Sequence, residues 1–285
     1  MKKEVVRFEN LTELGKIVKG MDRAVQFPVF YKNSLKKNEL TQAKNHSAVY
    51  NVDRQRIAQI MSDEYTVLQH QDAFGSVVDA LKTLNAKVHG KVVSYNGDLI
   101  YLYGTFNDVI VKDDAKGMEI GFRITNSYNM WTSFSGSAYT FRLICSNGAI
   151  LKKMIPEAKF SKKHYGQVLN YKEDITQFIT KLIESVPALE AKISLAMADT
   201  VEWKLVEKLL PKLVLIKKHK DEIEKRLKEV KSKKKQISRW DIYNCFTNYA
   251  THGEKISAYI ENLLSRKAEQ ILMMKDLNSL ASIKE

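Results

Sequence analysis

Near residue 170 the spacing of apolar side chains changes from every second residue to every third or fourth, so the chain has to build a sheet-bearing part first and a helical part after it. Ahead of the switch, Tyr65 to Gln69 has strand composition, and Asp72 to Leu84 places Phe74, Val77, Val78, Leu81 and Leu84 at helical spacing. Ala86 to Tyr95 and Asp98 to Phe106 follow, joined by Asn96-Gly97, a pair that tolerates the positive φ of a tight hairpin turn. Gly117 to Asn126 and Ser133 to Ile144 add two more strands, closed by Ser146-Asn147-Gly148. The order β-α-β-β-β-β predicts an α+β fold, a curved antiparallel sheet with a packed helix.

After Tyr171 helical stripes run on, first Ile175, Phe178, Ile179, Leu182 and Ile183, then Val201, Leu205, Val206, Leu209 and Leu210. Pro187 and Pro211 mark breaks or kinks. Ser238 is placed to cap a helix holding Trp240, Tyr243, Phe246 and Tyr249, and Gly253 separates it from a last helix, Glu254 to Leu280. Residues 1–62 read as a leader with some helix, broken at Phe27-Pro28 and by the polar stretch Asn33 to Asn45. The expected organisation is therefore a leader (1–62), an α+β core domain (63–170) and an all-helical C-terminal region (171–285).

Motifs narrow the chemistry mainly by what is missing. The sequence has no Gly-x-x-x-x-Gly-Lys-[Ser/Thr] phosphate cradle, no Gly-x-Gly-x-x-Gly fingerprint, no Gly-x-Ser-x-Gly elbow and no His-Glu-x-x-His helix. The six histidines stand far apart, without a ligand pair at helical or hairpin spacing. A thiol nucleophile needs a base and an orienting amide, and Cys145 with His164 or His252 and Asn147 is the best such set; Asp113 and Asp114 with a metal is the other hydrolase reading. Buried packing is the ordinary fate of an unpaired cysteine, so the expectation is no enzyme, no metal and no cofactor. Cys145 and Cys245 cannot form a disulfide framework, MKKEVVRFEN lacks an apolar signal core, and no apolar run reaches the roughly 18 residues of a membrane span. The expected location is the cytoplasm, away from membranes.

Charge points to a polyanion. The formal net charge is +13, with net +9 concentrated in Lys204 to Arg239 and net +8 spread over residues 1–170, where it gathers late at Lys152, Lys153, Lys159, Lys162 and Lys163. On the hairpin, alternate positions bring in Tyr95, Tyr101 and Tyr103, while Lys87, Lys91, Arg123 and Arg142 belong to the same group of strands. A sheet face of this composition can stack bases on Tyr101 and Tyr103 and hold phosphates with those cations and with Lys152, Lys153, Lys162 and Lys163. Glu224 can pair with Lys228 one turn on, whereas Lys231 to Lys235 has no acid within it, so Lys233, Lys234 and Lys235 extend the phosphate track. Sequence-tolerant binding of single-stranded DNA is the expected function, and the rival is a protein-interaction component that uses the aromatic helix around Trp240.

Four stretches also resemble a known family. Tyr65-Thr-Val-Leu-Gln-His-Gln-Asp-Ala-Phe74, Ile124-Thr-Asn-Ser127, Phe141-Arg-Leu-Ile-Cys-Ser-Asn147 and the run from Trp240 to His252 are similar to motifs of phage- and plasmid-like proteins built around a domain of unknown function. After Asn-Ser that family continues His-Asp-Gly-Ser, where this chain has Tyr128, Asn129, Met130 and Trp131. The resemblance implies a mobile-element origin and work on DNA; the protein-interaction rival would be a virion component or a host-defence inhibitor. More loosely, the expected sheet is similar to the core of single-strand annealing recombination proteins, and such a role implies a homo-oligomer.

Overall fold

The structure, a computed structural model, describes residues 2–33, 39–111, 118–142, 147–150, 155, 158–165, 171–213, 216–254, 256 and 258–274. Its first elements are β1 (Lys3–Phe8), α1 (Leu11–Lys19), β2 (Ala24–Asn33), β3 (Glu39–Asn51), β4 (Arg56–Ser62), α2 (His70–Thr83), β5 (Val88–Tyr95), β6 (Leu99–Val111), β7 (Met118–Ser127), β8 (Phe134–Arg142), β9 (Asn147–Ile150) and β10 (Lys159–Lys162). Then come α3 (Tyr171–Glu184), α4 (Val186–Ala198), β11 (Thr200–Val201), α5 (Trp203–Leu209), α6 (Lys217–Lys233), β12 (Ile237–Ser238), α7 (Arg239–His252) and α8 (Ala258–Met273). The fold is α+β, as its alternating and helical stretches require. The main sheet runs β1-β5-β6-β7-β8-β10, with β9 also paired to β8, while β2-β3-β4 and β11-β12 form two smaller sheets.

The chain divides into two compact units that do not follow chain order. One comprises Met1–Asp108, Gly121–Ser137 and Glu157–Ile183; the other comprises Val109–Ile120, Ala138–Pro156 and Glu184–Glu285. Residues 1–62 thus belong wholly to the first unit, and most of them are strand rather than leader. Their period-2 signal is broken by Pro28, by a register shift between Pro28 and Phe30, and by Asn45 at φ 60°. Tyr65 to Gln69, in contrast, is no strand. Tyr65 makes one isolated bridge to Tyr165, and its backbone N–H donates to Ser62 O, while the Thr66 N–H donates to His164 O.

Within the first unit, strand alternation separates two sheet faces. On β6, Ile100, Leu102 and Phe106 are buried, whereas Tyr101 and Tyr103 between them stay half-exposed. The buried face carries aromatic rings laid over glycines: Phe8 is paired with Gly90 and Phe160 with Gly136, and a Cβ on Gly104 would meet Phe122 Cζ at 2.3 Å. Gly90 and Gly104 are themselves directly opposite, so a glycine row crosses the sheet and lets it curve under these rings. From α3, Tyr171 and Phe178 add edge-on contacts to Phe134 and Phe160. The hairpin turns at Asn96 (φ 54°) and Gly97 (φ 75°), where only glycine fits, because a Cβ would lie 1.7 Å from Asp22 Oδ2.

In the second unit, α7 packs against α4, α6, α8 and β9. Trp240, Phe246 and Tyr249 are buried on it, with Trp240 stacked on Tyr243 at 4.9 Å. Ser238 is the expected cap: its Oγ accepts from the Asp241 N–H at 3.1 Å, and the Asp241 carboxylate accepts from the Ser238 N–H at 2.9 Å. Losing that reciprocal cap in Ser238→Ala should cost about 1 kcal/mol, read as a lowered urea midpoint with unchanged slope. The last helix ends at Met273, and residues beyond 274 lie outside the described ones. No helix among the described residues is long and apolar enough to cross a membrane.

Candidate nucleic-acid interface

The half-exposed face of the first unit's sheet assembles part of the expected site. On β5 and β6, Lys91 lies directly opposite Tyr103, and Val93 opposite Tyr101. The Lys91 Nζ stands 5.2 Å from the centre of the Tyr103 ring, and on β7 the Arg123 guanidinium stands 5.7 Å from that of Tyr101. The two tyrosine rings are 6.3 Å apart and tilted by 30°, and Tyr95 meets Tyr101 edge-on at 6.0 Å. The result is a short ladder of rings and cations. Arg123 Nε is buried without a hydrogen-bond partner among the described residues. Burial pushes the Tyr101 hydroxyl above its ordinary pKa, the Arg123 charge draws it back and Tyr95 raises it again.

Register adds cations that sequence reasoning missed. β1 pairs along β5 so that Arg7 lies opposite Lys91 and Lys3 opposite Tyr95, which puts both on the ladder's face. Two like charges facing each other across a strand pair repel, and an anion between them would relieve the cost. The visible signal was the alternation in Lys3-Glu-Val-Val-Arg7, but without the pairing of β1 to β5 nothing connected it to the hairpin. On the far side, Thr125 Oγ1 contacts Ser135 Oγ at 3.2 Å, and β10 brings Ser161 opposite Ser135 and Lys159 opposite Ser137. The face therefore continues as hydroxyls ending in another lysine.

Other expected residues fall elsewhere. Lys87 precedes β5 and pairs with Asp108 at 3.4 Å, both ends well exposed. Lys162 has the opposite parity to Lys159 and Ser161, so it turns from the ladder's face and pairs with Asp174 of α3 at 2.8 Å. Lys163 follows β10 and is exposed. Lys152, Lys153 and the Arg142 side chain lie outside the described residues, as do Cys145, Asp113 and Asp114.

In the second unit, Lys233 ends α6 and Lys235 follows it, both exposed. Lys234 pairs with the Asp241 carboxylate at 2.6 Å, and Lys231 lies 4.3 Å from the Trp203 ring centre. The run that lacks acids within itself thus finds partners from other elements. Glu224 and Lys228 form the expected i to i+4 pair at 2.6 Å. On α7, Asp241 is satisfied by Ser238 and Lys234, Thr247 by the Tyr243 carbonyl at 3.2 Å, and Asn248 by Arg226 of α6. Cys245 is a free, buried thiol that desolvation pushes up to about 12, which leaves it protonated and poorly nucleophilic.

A second set of polar groups in the first unit is buried. His70 is fully enclosed, stacked at 3.8 Å on Tyr128, with Nδ1 3.0 Å from Asn126 Nδ2 and Nε2 3.2 Å from Gly97 O. Asn126 Nδ2 also donates to Leu68 O at 3.0 Å, and the Tyr128 hydroxyl donates to Asp22 O at 2.8 Å while accepting the His70 N–H at 2.9 Å. Asp98 accepts from Asn51 at 3.0 Å and pairs with Arg56. This arrangement ties the start of α2 to the hairpin turn and to β7. His164 is buried as well, stacked on Tyr65 at 5.1 Å, and its ring nitrogens find no hydrogen-bond partner among the described residues. No group of three or more His, Cys, Asp or Glu among the described residues could hold a metal ion.

An α+β protein with an antiparallel sheet, followed by helices, whose ladder of cations and rings lies on one sheet face is the class that fold and site define. The chain belongs to the family of the domain of unknown function DUF932, whose model matches residues 58–280. No curated protein and no solved structure matches it. In the first unit, two of the four motif stretches meet in the His70 network, through Leu68 and His70 on one side and Asn126 on the other.

Proposed function

We propose that this protein binds nucleic acid without enzymatic turnover and with little sequence preference, and that its working partner is single-stranded DNA during replication or recombination of a virus, plasmid or prophage, in the host cytoplasm. The observation that carries the reading is the ladder: Lys91 over Tyr103 and Arg123 over Tyr101, on adjacent strands, flanked by Arg7 and Lys3. Rings at that spacing suit stacked bases, and cations spaced between them suit the phosphates that join those bases. Lysines and single arginines without bidentate partners hold backbone rather than read base edges, which fits a sequence-tolerant track. Lys233 and Lys235 offer further phosphate contacts from the second unit.

The experiment is a titration of a fluorescent single-stranded oligonucleotide at several salt concentrations. Binding should weaken steeply with salt, and Lys91→Ala or Arg123→Ala should each lower the slope of log K against log salt by about 1, equally for unrelated sequences. Tyr103→Leu, which removes a stacking ring and keeps an apolar side chain, should weaken binding by about 1 to 3 kcal/mol. No binding at low salt, or binding with no salt slope, eliminates the proposal.

A further inference from the structure

The sheet β2-β3-β4 has two unlike faces. Ala24, Val49 and Met61 point into a core cluster with Tyr65 and Tyr128. Alternation turns their neighbours the other way, and register aligns them in two rows across the strands, Val25 with Tyr50 and Ile57, and Phe27 with Ala48 and Ile60. This outer face is apolar yet open: Val25 is 49% exposed, Phe27 39%, Ile57 50% and Ile60 48%. Beyond Pro28, β2 and β3 continue as a two-stranded arm, Phe30 to Asn33 against Glu39 to Gln42, to which β4 does not extend. One side of the arm carries Phe30, 55% exposed, and Leu40, 70% exposed, together with Lys32, and the other side carries Tyr31, 50% exposed.

Magnitudes decide whether this surface needs a partner. With roughly 150 to 250 Å² for each aromatic side chain and somewhat less for each aliphatic one, the face exposes about 350 Å² of apolar surface and the Phe30 and Leu40 side of the arm about 240 Å². In a pair that exchanges arms each copy buries both, about 600 Å² in all, which exceeds the apolar share, about 500 Å², of the roughly 800 Å² that each partner buries in a standard interface. We propose that a second copy of this chain covers the surface, the arm of each copy lying across the outer face of β2-β3-β4 in the other.

Two further observations favour a copy. The arm extends the strands that build the face, so it cannot fold back onto that face, and a two-stranded ribbon alone in water is marginal. The face itself carries no charged side chain in either row, which gives a polyanion nothing to hold. Because the chain carries net +13, two copies repel at long range, so added salt should maintain or tighten the association. That dependence is opposite in sign to nucleic-acid binding, so either proposal can fail without the other.

Sedimentation velocity of the full chain from about 1 to 100 µM, at low and high salt, should show mass rising above the 32.8 kDa monomer. A face variant, Ile57→Lys with Ile60→Lys, and an arm variant, Phe30→Ser with Leu40→Ser, should each weaken self-association at least about tenfold while circular dichroism and melting stay as in the parent, because the replaced side chains are about half exposed. Mixing the two variants should restore a heavier species, since one retains the arm and the other the face. A monomer at every concentration, an assembly lost on adding salt, variants that assemble normally or a mixture that stays monomeric would each overturn the proposal. The concentration series on the parent chain decides even where a variant fails to fold.

Discussion

Gly121→Ala should lower the melting temperature of the protein by about 6 °C or more. A Cβ at this position on β7 would lie 1.9 Å from Gly104 O and 2.8 Å from Gly104 C and Thr105 Cα, all backbone of the neighbouring strand. No side chain can move aside. β6 and β7 would have to separate by more than an ångström, which breaks their ladder and lifts Phe122 off Gly104. Such overpacking against backbone costs upward of about 3 kcal/mol, a large part of the roughly 5 to 15 kcal/mol that holds a domain together. Gly15→Ala in α1 and Gly75→Ala in α2 are the controls, since a Cβ at either meets nothing within 4 Å. Both should stabilise by about 0.5 to 1 kcal/mol through helix propensity and a less flexible unfolded chain. Thermal melts of the three variants test the contrast, and a Gly121→Ala melting temperature within about 2 °C of the parent would refute the steric account.

That glycine row also marks the limit of what the sequence disclosed. Asn96-Gly97 and Ser238 announced their hairpin and helix because a turn and a cap are chosen by residues within three positions of each other. The spacing of Tyr101 and Tyr103 likewise placed two rings on one face before any pairing was known. Gly90, Gly104, Gly121 and Gly136 mean little apart, since their purpose appears only when neighbouring strands are set side by side. β2 to β4 escaped for another reason: Pro28, the register shift after it and the left-handed Asn45 break the alternation on which strand reading depends. Tyr65 to Gln69 misled in the opposite direction. Its β-branched composition suggested pairing, but its backbone is held by Ser62 and His164, and the Gln69 side chain bonds both the N–H and the carbonyl of Ala24. The candidate site was legible in its rings and two of its cations, while Arg7 and Lys3 joined it through strand pairings 84 and 92 residues apart that no local pattern encodes.

Acid should destabilise the protein well above the pH at which carboxylates titrate, and His70 is the main reason. Burial drives its pKa down to about 3, against an ordinary value of 6.5, with the Gly97 carbonyl opposing the shift and His164 adding to it. The contacts show why a proton is refused. Asn126 Nδ2 bonds Leu68 O with one hydrogen and His70 Nδ1 with the other, so Nδ1 must be the acceptor and Nε2–H the donor to Gly97 O. Protonating Nδ1 would set two donors against each other, and turning the Asn126 amide would set its oxygen against the Leu68 carbonyl. The folded state therefore stays neutral at His70 while the unfolded chain takes up a proton below pH 6.5. Stability is complete above that pH and falls as pH drops toward the folded value, by about 1.4 kcal/mol per unit for this one group, or about 2 kcal/mol at pH 5. His164 and His219, whose pKa values burial also lowers, contribute in the same sense. Glu4 is held low chiefly by Arg54, and at Asp241 burial pulls upward but Lys234 and Ser238 together more than offset it, so their contribution is lost only further down, as pH falls through the carboxylate range. Urea unfolding at pH 7, 6 and 5 should show this loss, and His70→Asn, which keeps an acceptor for Asn126 but cannot titrate, should reduce the slope by about one proton even though the smaller side chain lowers stability at pH 7. An unchanged slope in His70→Asn would show that the acid sensitivity resides elsewhere and that the polar contacts of His70 do not set its charge.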